Sequence, residues 1–138
     1  MTLRRERTLL QAAVALVCLV PLTVATASIV RGAAWLQPGP AIDLDSHFRY
    51  LSGIFLVMGI AFTTCIPAIE SKTARFRLLG AMVVAGGLAR LVSLGSVGEP
   101  SVGHLVGLGI ELIVVPLLLG WQTRIASLYR ERRNRIGG

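Results

Sequence analysis

Arg90 and Glu111 are the residues of greatest chemical interest, because each lies inside a stretch otherwise apolar enough to cross a membrane. An ionised side chain is costly in hydrocarbon, so such groups normally face the protein interior, pair with one another and mark a functional path or pocket. A guanidinium beside a carboxylate can hold a polar small molecule or a lipid headgroup, or can exchange a proton. His104 falls seven residues before Glu111, on nearly the same helical face. Arg49, at the start of another apolar stretch, can lean towards Glu111. These four, Arg90, Glu111, Arg49 and His104, make up the candidate ligand-binding set. The competing account is structural: an ion pair that locks two helices, or an Arg90 that snorkels to the surface.

Other chemistries find less support. His47 and His104 are the only histidines, and no ligand cluster with metal-site spacing accompanies them. No metal or other cofactor is expected. Cys18 and Cys65 lie in separate apolar blocks, form no C-x-x-C pair and read as buried bystander thiols. No nucleophile–base pair or phosphate-cradling glycine loop appears, so the chain does not read as an enzyme.

The elements that must position these residues are helices. The chain has 138 residues, 54% of them hydrophobic, and a mean hydropathy of +0.70. Four apolar blocks stand out, at 8–30, 50–69, 76–94 and 102–121. Each has about 19–23 residues, the length that spans ~30 Å of hydrocarbon as a helix. Between them lie Gln37-Pro38-Gly39-Pro40, Glu70-Ser71-Lys72 and the segment from Gly95 to Pro100, all rich in turn formers. A span must satisfy its own backbone in lipid, so the blocks read as helices. The expected fold is an all-α, integral membrane four-helix bundle over residues 1–122, with a basic tail at 123–138.

Charge sets the orientation. Arg4, Arg5 and Arg7 precede the first block, Lys72, Arg75 and Arg77 follow the second, and Arg124, Arg130, Arg132, Arg133 and Arg135 follow the fourth. With four spans these regions share one side, which the positive-inside rule makes cytoplasmic, together with both termini. The formal charge of +7 therefore points to anionic lipids at the basic tail and not to nucleic acid. A rival reading takes Arg4-Arg5-Glu6-Arg7, the apolar run and Ala25-Thr26-Ala27 as a secretory signal. Against it, the apolar run continues through Ser28, Ile29 and Val30.

Small residues recur at helical spacing. Gly86 lies four before Arg90, and Gly103, Gly107 and Glu111 follow one another at intervals of four. Such faces let helices approach closely in lipid, so Gly86, Gly103 and Gly107 are the expected packing positions. Arg90 then sits about one turn below the outer surface and Glu111 ~13 Å down, on antiparallel neighbours joined by a short loop. Asp45 or Ser46 is a natural N-cap for the second helix, and Ser101 or Glu99 for the fourth. Pro21 and Pro116 lie inside helices and are expected to kink them.

The segments Asp45-Ser46-His47-Phe48-Arg49-Tyr50, Gly86-Gly87-Leu88-Ala89-Arg90-Leu91 and Gly98-Glu99-Pro100, with Glu111, resemble a bacterial family of small four-helix membrane proteins, domain-of-unknown-function family 4345. The resemblance runs from the first helix to Trp121 and omits the basic tail. It implies a multi-pass inner-membrane protein and assigns no activity and no site residues. Two functional classes follow from the residues themselves. One is a binding or transport bundle that holds a small molecule, lipid or proton in its outer half. The other is an accessory subunit that docks on a larger membrane complex through its glycine seams and basic tail. In the first class, four helices are few for transport, so a homo-oligomer is expected.

Overall fold

Long apolar runs with no competing β-branched alternation fold as helices, and the computed structural model, described here over residues 2–137, shows this along nearly its whole length. Helix α1 covers Leu3–Arg31. A 3₁₀ turn at Ala33–Trp35 follows, then α2 at Ile42–Thr63 with a second 3₁₀ turn at Ile66–Ala68. Helix α3 runs over Thr73–Ser96. The last helix is one continuous rod: α4 at Val102–Gly109, a π-helical turn at Ile110–Val114 and α5 at Val115–Gly137. Four helices, of 29, 27, 24 and 35 residues, are long and apolar enough to cross a membrane.

Their surfaces agree with that. Leu16, Val57, Leu78, Val92, Ile113 and Leu117 all stand exposed on the helices. In water so large an apolar surface would drive association, whereas acyl chains cover it at no cost. The protein is a multi-pass, all-α membrane protein.

The helices begin and end differently from the apolar blocks. Helix α2 starts at Ile42, eight residues before its block, and its N-cap is Ala41 with no side-chain capping bond. Neither Asp45 nor Ser46 caps it, because the helix has already begun when the chain reaches them. Ser101 does occupy the N-cap position of α4, but its hydroxyl bonds the His104 ring instead of a backbone amide. The rod from Val102 carries on unbroken through 123–136, so the basic tail is its helical continuation.

The chain forms two compact units, with the boundary inside α1. One comprises Met1–Ala12 with Pro67–Gly138, the other Ala13–Ile66. In the first, Leu10, Ile69, Phe76, Leu79, Val115, Leu118, Ile125 and Ala126 are buried. Glu111, Val115, Leu118, Gln122 and Ile125 follow one another at alternating steps of four and three and are all buried. They form the inward face of the rod. Facing them, α3 presents Gly80 and Gly87, seven residues apart. A Cβ at Gly80 would lie 2.6 Å from Leu119, and one at Gly87 2.7 Å from Leu112 and 3.0 Å from the Glu111 Cβ. In the second unit, Val14, Cys18, Ala25, Ser28, Ser52 and Cys65 are buried, and neither cysteine forms a disulfide. There Pro21 leaves α1 unbroken and seats its ring against Gly59, where an added Cβ would meet it at 2.9 Å.

Candidate functional site

The π turn is built by Pro116. A proline inside a helix has no amide to donate and clashes with the carbonyl four residues back. Widening the preceding turn relieves that clash. Here the Val115 amide reaches the Ile110 carbonyl, five residues back, and the helix runs on without a break. Glu111 sits inside this widened turn. Single π turns in α-helices recur at functional sites, because they re-aim side chains that a regular turn would point elsewhere.

Glu111 is 9% exposed, and two glycines shape its surroundings. Gly87 lets the α3 backbone approach the Glu111 Cβ. Arg90, three residues further along α3, therefore projects from the same face. Its Nε lies 3.5 Å from Glu111 Oε2, with the guanidinium side chain 43% exposed and the carboxylate side chain 12%. Gly107, one turn before Glu111, lies beside the guanidinium: a Cβ there would make an ordinary contact with Arg90 Nη1 at 3.4 Å. The contact is an ion pair without a hydrogen bond. Glu111 Oε2 is buried and has no hydrogen-bond donor. A buried acceptor left this way normally costs about 1–3 kcal/mol, and more when charged, so it calls for an explanation.

Of the four expected site residues, the structure brings Arg90 and Glu111 together. His104 is on the same rod, but its Nδ1 is engaged by the Ser101 hydroxyl at 2.9 Å. Arg49 belongs to the other unit and is occupied there. Its Nε donates to Asp45 Oδ2 at 2.8 Å, and its Nη1 donates to the Ile29 carbonyl in the last turn of α1. Asp45 Oδ1 accepts the Ala33 amide at 2.6 Å. Gly32, with φ of 68°, turns the chain between them, and a Cβ there would overlap both Asp45 and Arg49. The cluster works as a clasp: a cation on the negative end of α1, a carboxylate on the next amide, and a left-handed glycine at the corner.

The expected packing glycines fall in different places. A Cβ at Gly86 or Gly103 would meet nothing within 4 Å, while the close helix approaches use Gly80 and Gly87. Within the chain, the seam of α3 is thus one residue along from Gly86, and Gly107 accommodates a side chain, not a helix. Gly87 was legible in principle, since it lies three residues before Arg90. The inward face from Glu111 to Ile125 was also legible from its four–three spacing.

A second polar group, not anticipated from the sequence, occupies the first unit. Gln122, fully buried, donates to the Ile69 carbonyl at 2.8 Å and to Thr73 Oγ1 at 2.9 Å. Arg7 bonds Glu70 at 2.7 Å and the Pro67 carbonyl at 2.7 Å, and Arg124 pairs with Glu6 at 3.4 Å. These contacts tie the first turns of α1 and the connection before α3 to the rod. Their signal in the sequence was only that Gln122 shares the Glu111 face. Among the described residues, no group of three or more His, Cys, Asp or Glu side chains is placed to hold a metal ion.

No curated protein and no solved structure matches the chain. A family does: residues 9–122 match Domain of unknown function (DUF4345), and the chain belongs to that family.

Proposed function

We propose that this is a multi-pass protein of the bacterial inner membrane, with both termini cytoplasmic, that binds or moves a small molecule, lipid or proton at Arg90 and Glu111. The observation that carries this reading is the unsatisfied, buried Glu111 Oε2 beside a partly exposed guanidinium inside a membrane span, at the π turn; the likewise unsatisfied Glu6 Oε2 beside Arg124 lies in the first turn of α1. A pair that served only to join α3 to the rod would gain most from a close, hydrogen-bonded contact. This pair makes no hydrogen bond and leaves a buried acceptor unused, at a widened helical turn. The orientation rests on the basic residues in the first turns of α1, at Lys72 and the first turns of α3, and along the end of α5. It puts the site in the outer half of the membrane and the exposed Arg130, Arg132, Arg133 and Arg135 on the anionic inner leaflet. No catalytic chemistry is proposed.

A second reading has its own support. Gly86 and Gly103 lie open on α3 and α4, as a surface awaiting another helix would. In that reading the chain is an accessory subunit of a larger membrane complex, or a homo-oligomer, with no ligand of its own.

Native mass spectrometry of the protein released from lipid nanodiscs separates the two. A small bound mass present in the parent and lost from a folded Arg90→Leu variant supports the binding reading. A co-purifying protein chain that ignores Arg90→Leu but is released by Gly103→Leu supports the accessory reading.

A further inference from the structure

We infer that Glu111 is a proton-binding carboxyl whose charge state is read by Arg90; this names the occupant of the site on which the proposed function rests.

Three observations combine. First, the orphan oxygen is an acceptor and is shielded from solvent. A proton meets that need with no room required for a larger group, because a neutral carboxyl is far cheaper to bury than a carboxylate. Second, the only charged group within ion-pair distance among the described residues of this unit is Arg90, at 3.5 Å. From α3 no other ionisable side chain faces Glu111. On its own helix His104 is turned to Ser101, and the residues that follow, through Leu119, are uncharged. The carboxyl therefore answers to one partner. Third, that partner is not fixed: its side chain is 43% exposed, and no hydrogen bond holds it to the carboxylate. Arg49, by contrast, has hydrogen bonds that would resist such movement.

The cycle balances simply. With Glu111 ionised, the pair is neutral and Arg90 stays along Gly107. A proton taken from water forms an O–H bond on the carboxyl, and the pair then carries one positive charge, all of it on Arg90. The coulombic hold is gone, and the guanidinium is free to swing out to its exposed side, towards water, a lipid phosphate or an anionic ligand. Release of the proton draws it back. The π turn supplies the local freedom for the carboxyl to meet both states.

The test is infrared difference spectroscopy of the full chain in nanodiscs, following the protonated-carboxyl C=O stretch while pH is stepped between about 4 and 10. The expected result is a carboxyl band that titrates within the range and vanishes in Glu111→Gln. In Arg90→Gln the midpoint of the same band should move, since the carboxyl loses its one charged neighbour. A parent spectrum with no titrating band removed by Glu111→Gln, whether the residue stays ionised or stays protonated throughout, overturns the inference. Helical circular dichroism confirms that each variant folds; should Arg90→Gln not fold, parent against Glu111→Gln still decides. The outcome is separable from that of the mass measurement. A ligand lost in Arg90→Leu with a Glu111 that never titrates retains the site and removes the proton, and a titrating Glu111 with no ligand does the reverse.

Discussion

Two Arg–carboxylate pairs, Arg49 with Asp45 and Arg90 with Glu111, share their chemistry and are opposites in the structure. Asp45 uses one oxygen for the Ala33 amide and the other for Arg49, whose guanidinium also reaches the Ile29 carbonyl. Every part of that pair has a structural task, and the i,i+4 spacing keeps the partners on one helix face. Glu111 is the more buried of the two carboxylates, yet its Oε2 is without a hydrogen bond, and its arginine lies 3.5 Å away on a different helix. Burial raises the cost of an imperfect contact, so the less satisfied pair stands where satisfaction matters more. The lesson is that a charged pair is read by what remains unused. The saturated pair is a clasp, and the unsaturated one has capacity for something else.

That contrast can be broken from either side. The largest effect is expected at Gly32→Ala, which adds a Cβ at positive φ where it would overlap both members of the clasp. A loss of about 3 kcal/mol is expected from left-handed backbone strain and overpacking together, measured by denaturant unfolding in bicelles. Gly87→Ala comes next, at about 1–3 kcal/mol, because its Cβ would press on Leu112 and the Glu111 Cβ. Its neighbour Gly86→Ala should change stability by no more than about 0.5 kcal/mol, since nothing lies within 4 Å. Equal losses at the two glycines would mean that α3 presents another face to the rod. Gly107→Ala should likewise change stability by no more than about 0.5 kcal/mol, because its Cβ would make an ordinary contact with Arg90 Nη1 at 3.4 Å.

Much of this was legible before the structure. Hydropathy marked four spans because lipid imposes a length and forbids unsatisfied backbone, and few sequences meet both conditions by accident. Arg90 and Glu111 were legible because a charge in such a span is rare. The register was harder. Gly86 and Gly87 are adjacent, and the residue facing the neighbouring helix depends on rotation about α3, which a pattern of small residues leaves ambiguous by one position. The role of Arg49 also depended on something local: Gly32 ends α1 with a left-handed turn that brings its last carbonyls beside Arg49. Pro116 announced a distortion, but not that it would be a π turn carrying Glu111. Gln122 was hidden because one amide in an apolar helix carries no charge to betray it.

The smallest stability effect is expected where the site itself is altered, and it bears most directly on the central claim. Asp45→Asn and Glu111→Gln are the same chemical change, a carboxylate replaced by its amide, made once in each pair. Thermal unfolding of both variants in the same nanodiscs should show Asp45→Asn clearly lowered and Glu111→Gln unchanged or raised, because the second replacement removes a buried charge that had no hydrogen bond to lose from Oε2. A Glu111→Gln variant destabilised as much as Asp45→Asn would contradict the account and make Arg90 and Glu111 a structural lock between α3 and the rod.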